Sequence, residues 1–274
     1  MALIVTDGAE LRTGRAAESG HWYDRQGRAV YEIKGANGKI RPVTLRDARK
    51  LNLVPGFSSI AAMEYKPLLE RWKIEQALMA AITLPRLPNE TDDQYIDRAR
   101  DDSMEQAAKA RDRGTEIHAA IQGYFEGAPV SYEMAPFVFP VRDFLYQRFG
   151  SQGWIAESSF AHPLGFGGKS DLMKCLEIEA VIDVKCKDFD ETKTAKDLAW
   201  PEHSMQLSAY SRGFKIPRAD CANIFVSTRV PGLIRVREWD KDELEEAWEA
   251  FGCLLKLWQI RRNYRCGWGE QEAA

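Results

Sequence analysis

Asp183 and Lys185 stand two residues apart in Ala180-Val181-Ile182-Asp183-Val184-Lys185-Cys186, a run whose residue types alternate as on a β-strand. Asp183, Lys185 and Lys187 then share one face, and Ile182, Val184 and Cys186 share the other, toward a core. A carboxylate and an ammonium so placed beside a cleft suit metal-assisted hydrolysis: the Asp binds a divalent ion and the Lys orients or deprotonates a water. The acid-x-Lys pattern recurs at Glu32-Ile33-Lys34, Glu64-Tyr65-Lys66 and Glu191-Thr192-Lys193, but without the apolar strand context. Asp171 follows the glycine-rich run Gly165-Phe166-Gly167-Gly168-Lys169-Ser170. In a meander it adjoins the Asp183 strand, where two converging carboxylates repel unless a hard cation lies between them. The glycines allow close approach of a ligand to backbone, or they form a hairpin turn with Asp171 on the surface. Glu157 is a further carboxylate on the preceding strand, or a solvated strand residue.

His118 lies one helical turn after Gly114 in Gly114-Thr115-Glu116-Ile117-His118. A helical histidine is ordinarily structural, but a glycine inside a helix costs about 1 kcal/mol unless something must pass close by. A metal-bound phosphate against that face accounts for both residues. Gln206 and Tyr210, spaced i, i+4, stack on one helix face, either as an amphipathic boundary pair or as hydrogen-bonding partners for phosphate, metal-bound water or the lysine.

These residues need a scaffold, and the periodicity supplies one. Three strands are expected at 154–160, 170–175 and 180–186, then a helix at 203–214 and strands at 224–228 and 233–239. A final helix begins at the Asp240/Glu243 capping box. Upstream, 21–43 reads as a small β-ribbon and Thr44 to Asp47 as a capping box. A helix starts at Ser58 and continues to Pro85, and further helices cover 103–125 and 137–149. The expected divisions are a basic β-ribbon with a short helix (1–53), a helical arch-like segment (54–102) and an α/β core with a C-terminal helix (103–274).

The chain has 274 residues, 45% of them hydrophobic, and a net charge of -3. Residues 1–50 carry +4 and the remainder -7, so the mean conceals opposed parts. No apolar run reaches the roughly 18 residues of a membrane span, and MALIVTDGAELR lacks a basic n-region and a long apolar stretch. A cytoplasmic protein is expected. The five cysteines are scattered, without a C-x-x-C pair, which excludes a zinc ribbon or a disulfide framework.

In order along the chain, GTEIH, GFGGKSD, IDVK and QLSAY resemble the G-x-x-x-H, G-x-x-D, [DE]-x-K and Q-x-x-x-Y motifs of the RecB-like branch of the PD-(D/E)XK nuclease superfamily. VPGFSSIAAMEYKPLLERWKIEQAL is similar to the segment before the core in phage exonucleases and the mitochondrial genome maintenance exonuclease. The resemblance implies a restriction-endonuclease-like α/β core, a central mixed sheet flanked by helices, with an N-terminal helical and β-ribbon extension. It implies that His118, Asp171 and Asp183, with the backbone carbonyl of Val184 as a further ligand, bind one or two Mg2+ or Mn2+ ions; the Glu157 carboxylate, if not solvated, would add to them. Lys185 would position or activate water, and Gln206 and Tyr210 would hold the substrate backbone or the lysine. Asp at 183 is a shorter arm than the commoner Glu, and the iron-sulfur cluster of some relatives has no counterpart.

The implied activity is exonucleolytic hydrolysis of DNA, single-stranded or with free ends, in phage or bacterial recombination, replication or repair. A recombinase or single-strand-binding protein is the implied partner. The alternatives are a structure-specific endonuclease or junction resolvase on the same core and an inactive DNA-binding subunit. DNA contacts are expected from Arg98, Arg100, Lys109, Arg111, Arg113 and Lys187, with Gln206 and Tyr210. Ser58 and Ser59 at a helix N-terminus either cap it or meet a phosphate, and Trp22, Tyr23 and Tyr31 are candidates for base stacking.

Overall fold

The computed structural model describes residues 21–35 and 38–266; the side chains of 68, 69, 106, 107, 109 and 110 lie outside the described set. Arg12 and Arg15 of the basic leading segment, and the side chain of Lys109, therefore fall outside the described residues. At the N-terminal end, β1 (Trp22–Tyr23) pairs with β4 (Val54–Pro55), and β2 (Glu32–Lys34) pairs with β3 (Ile40–Pro42). Between them, α1 (Leu45–Leu51) is capped reciprocally by Thr44 and Asp47, as the spacing predicts. Two of the three ribbon aromatics are buried. Trp22 is 6% and Tyr23 3% exposed, because Trp22 packs edge-on against Trp258 and Tyr264. Tyr31 alone of the three reaches the surface.

The helix expected to run on from Ser58 is two helices, α2 (Phe57–Ala61) and α3 (Pro67–Thr83). Pro67 has no N–H to continue a helix and restricts the residue before it, and Lys66 leaves helical geometry with ψ of 78°. Ser58 lies inside α2, whose N-cap is Gly56, so neither serine caps it. Next, α4 (Asp92–Phe125) begins eleven residues before the expected start, at a Thr91/Gln94 capping box, and runs unbroken through the expected 102/103 division. It packs antiparallel on α3 in its first half and on the core in its second.

Arg98 fastens that hairpin, donating to both Glu90 oxygens (2.7 and 2.8 Å) and to the Pro85 carbonyl (2.8 Å). Of the other arginines expected to guide a DNA strand, Arg100 pairs with Asp97, and Arg113 pairs with Glu116 over the Phe137 ring. Arg111 is exposed. Most of that basic path is thus engaged by the protein's own acids.

After α5 (Ala135–Phe149) come β5 (Trp154–His162), β6 (Phe166–Lys174) and β7 (Ala180–Lys187). Then follow α6 (Ala195–Leu198), α7 (Pro201–Gly213), β8 (Asp220–Ser227), β9 (Ile234–Trp239) and α8 (Lys241–Arg261). The five strands form one sheet in chain order, antiparallel except for the parallel pair β7 and β8 joined through α7. This is the expected mixed sheet flanked by helices. Ile117, Ile121, Val138 and Leu145 of α4 and α5 cover one face, against Ile182, Val184 and Ile224. On the other face α7, α8 and α2 pack with the ribbon around Phe166, Leu207 and Phe251.

The segment after α8 meets the end of α1 at Tyr264, whose hydroxyl lies 2.6 Å from the Leu53 carbonyl and 3.1 Å from that of Ala48. Tyr264→Phe strands the Leu53 carbonyl at a site only 8% exposed, while the Ala48 carbonyl keeps the Leu53 N–H. A cost of about 1 to 3 kcal/mol is expected. A thermal melt should show it as a fall of about 2 to 4 °C per kcal/mol for a chain of this size. An unchanged midpoint would show that the hydroxyl holds nothing together.

Candidate active site

The site forms where β6 and β7 part. Their ladder pairs Lys174 with Ala180, Met173 with Val181 and Leu172 with Ile182, and goes no further, although Asp171 and Asp183 stand next in register. In place of a ladder bond, the Val184 N–H donates to Asp171 Oδ2 at 2.7 Å. The carboxylate side chain substitutes for the missing strand and stands in the gap that results.

His118, from the core half of α4, brings its Nε2 within 3.1 Å of Asp171 Oδ2. On the far side of β6, Glu157 lies between the rungs Ala156–Leu172 and Ser158–Ser170, hence opposite Asp171. Its backbone is left-handed, with φ of 55°, a strained conformation for glutamate that breaks the regular pairing and aims the side chain at the gap. One ligand atom each of His118, Glu157 and Asp171 lies within 4.8 Å of the others. An imidazole and two carboxylates at that spacing are a hard-to-borderline donor set that fits a divalent cation. Glu157 is also ion-paired with Lys169, a contact it must loosen to act as a ligand.

Asp183, 2% exposed on β7, stands outside that group of three, with one oxygen taken by Lys185 and the other by Asn223. Lys185 Nζ donates to Asp183 Oδ1 (2.7 Å) and to Gln206 Oε1 (3.2 Å), and Gln206 Nε2 donates to the Tyr210 hydroxyl (3.2 Å). Burial pushes the Asp183 carboxyl above its ordinary range, Lys185 opposes that, and the Asp171 charge adds to it. Burial acts the same way on Asp171, but the His118 hydrogen bond and charge, with Lys185 and the Val184 N–H, bring it below the usual range. Desolvation pulls His118 down, and the hydrogen bond and charge of Asp171 outweigh it, so its pKa is raised.

Several expected roles change in the folded protein. Tyr210 is 7% exposed, wedged between Phe57 and Phe160, and its hydroxyl also accepts the Lys169 backbone N–H. Its hydroxyl holds Gln206 beside Lys185. Gly167 and Gly168 lie within β6, not in a turn. A Cβ on Gly167 would come 2.7 Å from the Tyr23 ring, and one on Gly168 would come 2.6 Å from that of Tyr210. The motif glycines thus admit aromatic rings, not a ligand. Gly114 likewise faces the Cβ of Cys186, letting α4 settle onto β7.

Lys187 donates to the Leu198 carbonyl at 2.8 Å and lies over the Trp200 ring, so it is anchored away from a strand. Desolvation, then the Lys185 charge, draws its pKa down to about 8. Ser58 and Ser59 sit in a five-residue helix in which the Ser59 N–H bonds the Gly56 carbonyl.

One site residue escaped the sequence reading. Asn223, fully buried on β8, donates to Asp183 Oδ2 at 2.7 Å. Its signal was an amide inside the otherwise apolar run Ala222-Asn223-Ile224-Phe225-Val226.

No protein-family model matches the chain, and none of the curated proteins does. Among solved structures the chain is similar to an alkaline exonuclease from Laribacter hongkongensis, with 14% identity over 69% of this chain and 89% of that one and a TM-score of 0.34. It is also similar to a candidate exonuclease from Eubacterium rectale, with 13% identity over 55% of this chain and 68% of that one and a TM-score of 0.39. Likenesses this distant assign no role to any residue here. Among the described residues no helix is long and apolar enough to cross a membrane.

Proposed function

We propose that this chain is a divalent-metal-dependent phosphodiesterase of the PD-(D/E)XK kind. Within that class we infer a DNA exonuclease. The observation that carries the reading is the convergence of two linked pairs, His118 with Asp171 and Lys185 with Asp183, on the gap between β6 and β7.

His118, Asp171 and Asp183, with Glu157 and the Val184 carbonyl, are the groups that would hold Mg2+ or Mn2+. Once bound, the ion would supply charge to the phosphoryl oxygens and lower the pKa of a coordinated water. The chain's own residues do the rest. Lys185 has three N–H donors and spends two on Asp183 and Gln206, so one remains for a water or a phosphoryl oxygen. Gln206, held by Tyr210, fixes where that third donor points. Arg111 at the surface of α4 contributes to substrate attraction, and the α3–α4 hairpin beside the core supports action on a strand end. A role in phage or bacterial recombination, replication or repair, with a recombinase or single-strand-binding partner, belongs to the same reading.

The test is digestion of 5′- and 3′-labelled DNA, single-stranded and duplex, linear and circular, with Mg2+, Mn2+ or EDTA. Linear DNA should be shortened from an end in either metal, circles should persist, and EDTA should stop the reaction. Circles cut as fast as linear DNA would overturn the exonuclease assignment. Undiminished cutting in EDTA would overturn the metal dependence. DNA binding without any hydrolysis would leave an inactive binding subunit.

A further inference from the structure

We propose that Asn223 and Trp239 are positioning residues that set the affinity of the site for its divalent ion by locking the plane of the Asp183 carboxylate. The inference rests on the metal-site reading above and extends it to two residues that touch neither metal nor substrate.

Asp183 and Asn223 are register partners in the parallel ladder of β7 and β8, so their side chains stand abreast on one face of the sheet. Asn223 Nδ2 meets Asp183 Oδ2 at 2.7 Å, while Lys185 takes Oδ1 at the same distance. With one donor on each oxygen, the carboxylate has a defined plane and a defined tilt. An amide beside a carboxylate serves only if its NH2 end faces it, since the other end would set oxygen against oxygen.

Trp239 decides which end that is. The indole N–H is a donor and nothing else, so its partner must be the amide oxygen. It lies 2.7 Å from Asn223 Oδ1, which leaves Nδ2 for Asp183. Trp239 is itself steadied on β9 by the Arg237 guanidinium, 4.6 Å from its ring centre, and Arg237 is ion-paired with Glu243 of α8.

Asn223 has no exposure, so water cannot stand in for either partner. A buried amide with both ends matched is the kind of outer support that holds a metal-binding carboxylate in place. Losing such support typically costs about 10- to 100-fold in metal affinity or activity.

The experiment measures Mn2+ binding to the whole, DNA-free chain, by the loss of the free-ion paramagnetic resonance signal and by calorimetry. Circular dichroism melts accompany each variant. Asn223→Leu keeps the volume and removes both hydrogen bonds, and its Kd for Mn2+ should rise about 10- to 100-fold. Trp239→Phe keeps an aromatic ring and removes the N–H with part of the indole, and its Kd should rise about 10-fold. The KM for DNA should not move in either.

A purely structural role would lower the melting midpoint and leave the Kd alone. A folded Asn223→Leu with a Kd within about threefold of the parent would therefore overturn the proposal. If that variant does not fold, Trp239→Phe decides by the same criterion. Asp171→Asn is the control. If it loses Mn2+ while both support variants keep it, the positioning role fails and the site stands. If the parent chain binds no Mn2+, the site fails and the proposal with it.

Discussion

Lys185→Ala lowers the rate of DNA hydrolysis by about 10²- to 10⁴-fold, the range for removing a positioned proton donor or acceptor from a reacting centre. Its substrate affinity is expected to stay within about threefold, because non-specific DNA affinity comes from many phosphate contacts, not from one buried ammonium. The loss is large because Lys185 is the only described residue bonded to both Asp183 and Gln206. Its removal frees Asp183 Oδ1 and leaves Gln206 without its charged partner. Lys185→Arg should not rescue: a planar guanidinium longer than the ammonium it replaces does not fit a Nζ held at 2.7 Å and 3.2 Å from two fixed acceptors. Single-turnover hydrolysis of labelled DNA, with anisotropy in Ca2+ for binding, separates the two effects. Undiminished cleavage by the alanine variant would remove Lys185 from the chemistry.

Asp171→Asn is expected to cost about 10³-fold or more, since a lost metal ligand forfeits several kcal/mol of charge stabilisation at about 1.4 kcal/mol per factor of ten. The amide is the informative choice. Asp171 accepts the Val184 N–H, and an asparagine oxygen still accepts it, so the end of the β6–β7 ladder is preserved while the negative charge is removed. An alanine would leave that N–H unmatched and confuse loss of chemistry with loss of structure. A second readout needs no substrate. A ligand that binds only the native state raises the melting midpoint, so Mn2+ should stabilise the parent chain and not the variant. Equal stabilisation of both would place the ion elsewhere.

The glycines show how residue spacing can be legible while its physical reason is not. At Gly167, Gly168 and Gly114 an added Cβ would meet a ring or a methylene of the folded protein. Spacing reveals that a side chain is missing and is silent about what fills the space. Tyr210 makes the same point from the other side. Its i, i+4 relation to Gln206 was legible, but its burial among Phe57 and Phe160 was not. The arginines before His118 read as a free basic path because their acidic partners, Glu90 and Asp97, belong to a hairpin whose turn the apolar periodicity did not mark.

By itself the sequence determined which strand carries Asp183 and Lys185, which face they share, and that the Asp171 strand adjoins it. Those depend on the two-residue period of a strand and on short connections between neighbours, both local. Only the tertiary structure decided that the ladder stops after Leu172 and Ile182, that Glu157 takes a left-handed backbone to face Asp171, and that Asn223, forty residues beyond Asp183, closes the site from the next strand. The reason is physical. Register and strand parting are set by the packing of several elements at once, and a buried carboxylate takes its partners from whatever the sheet brings beside it.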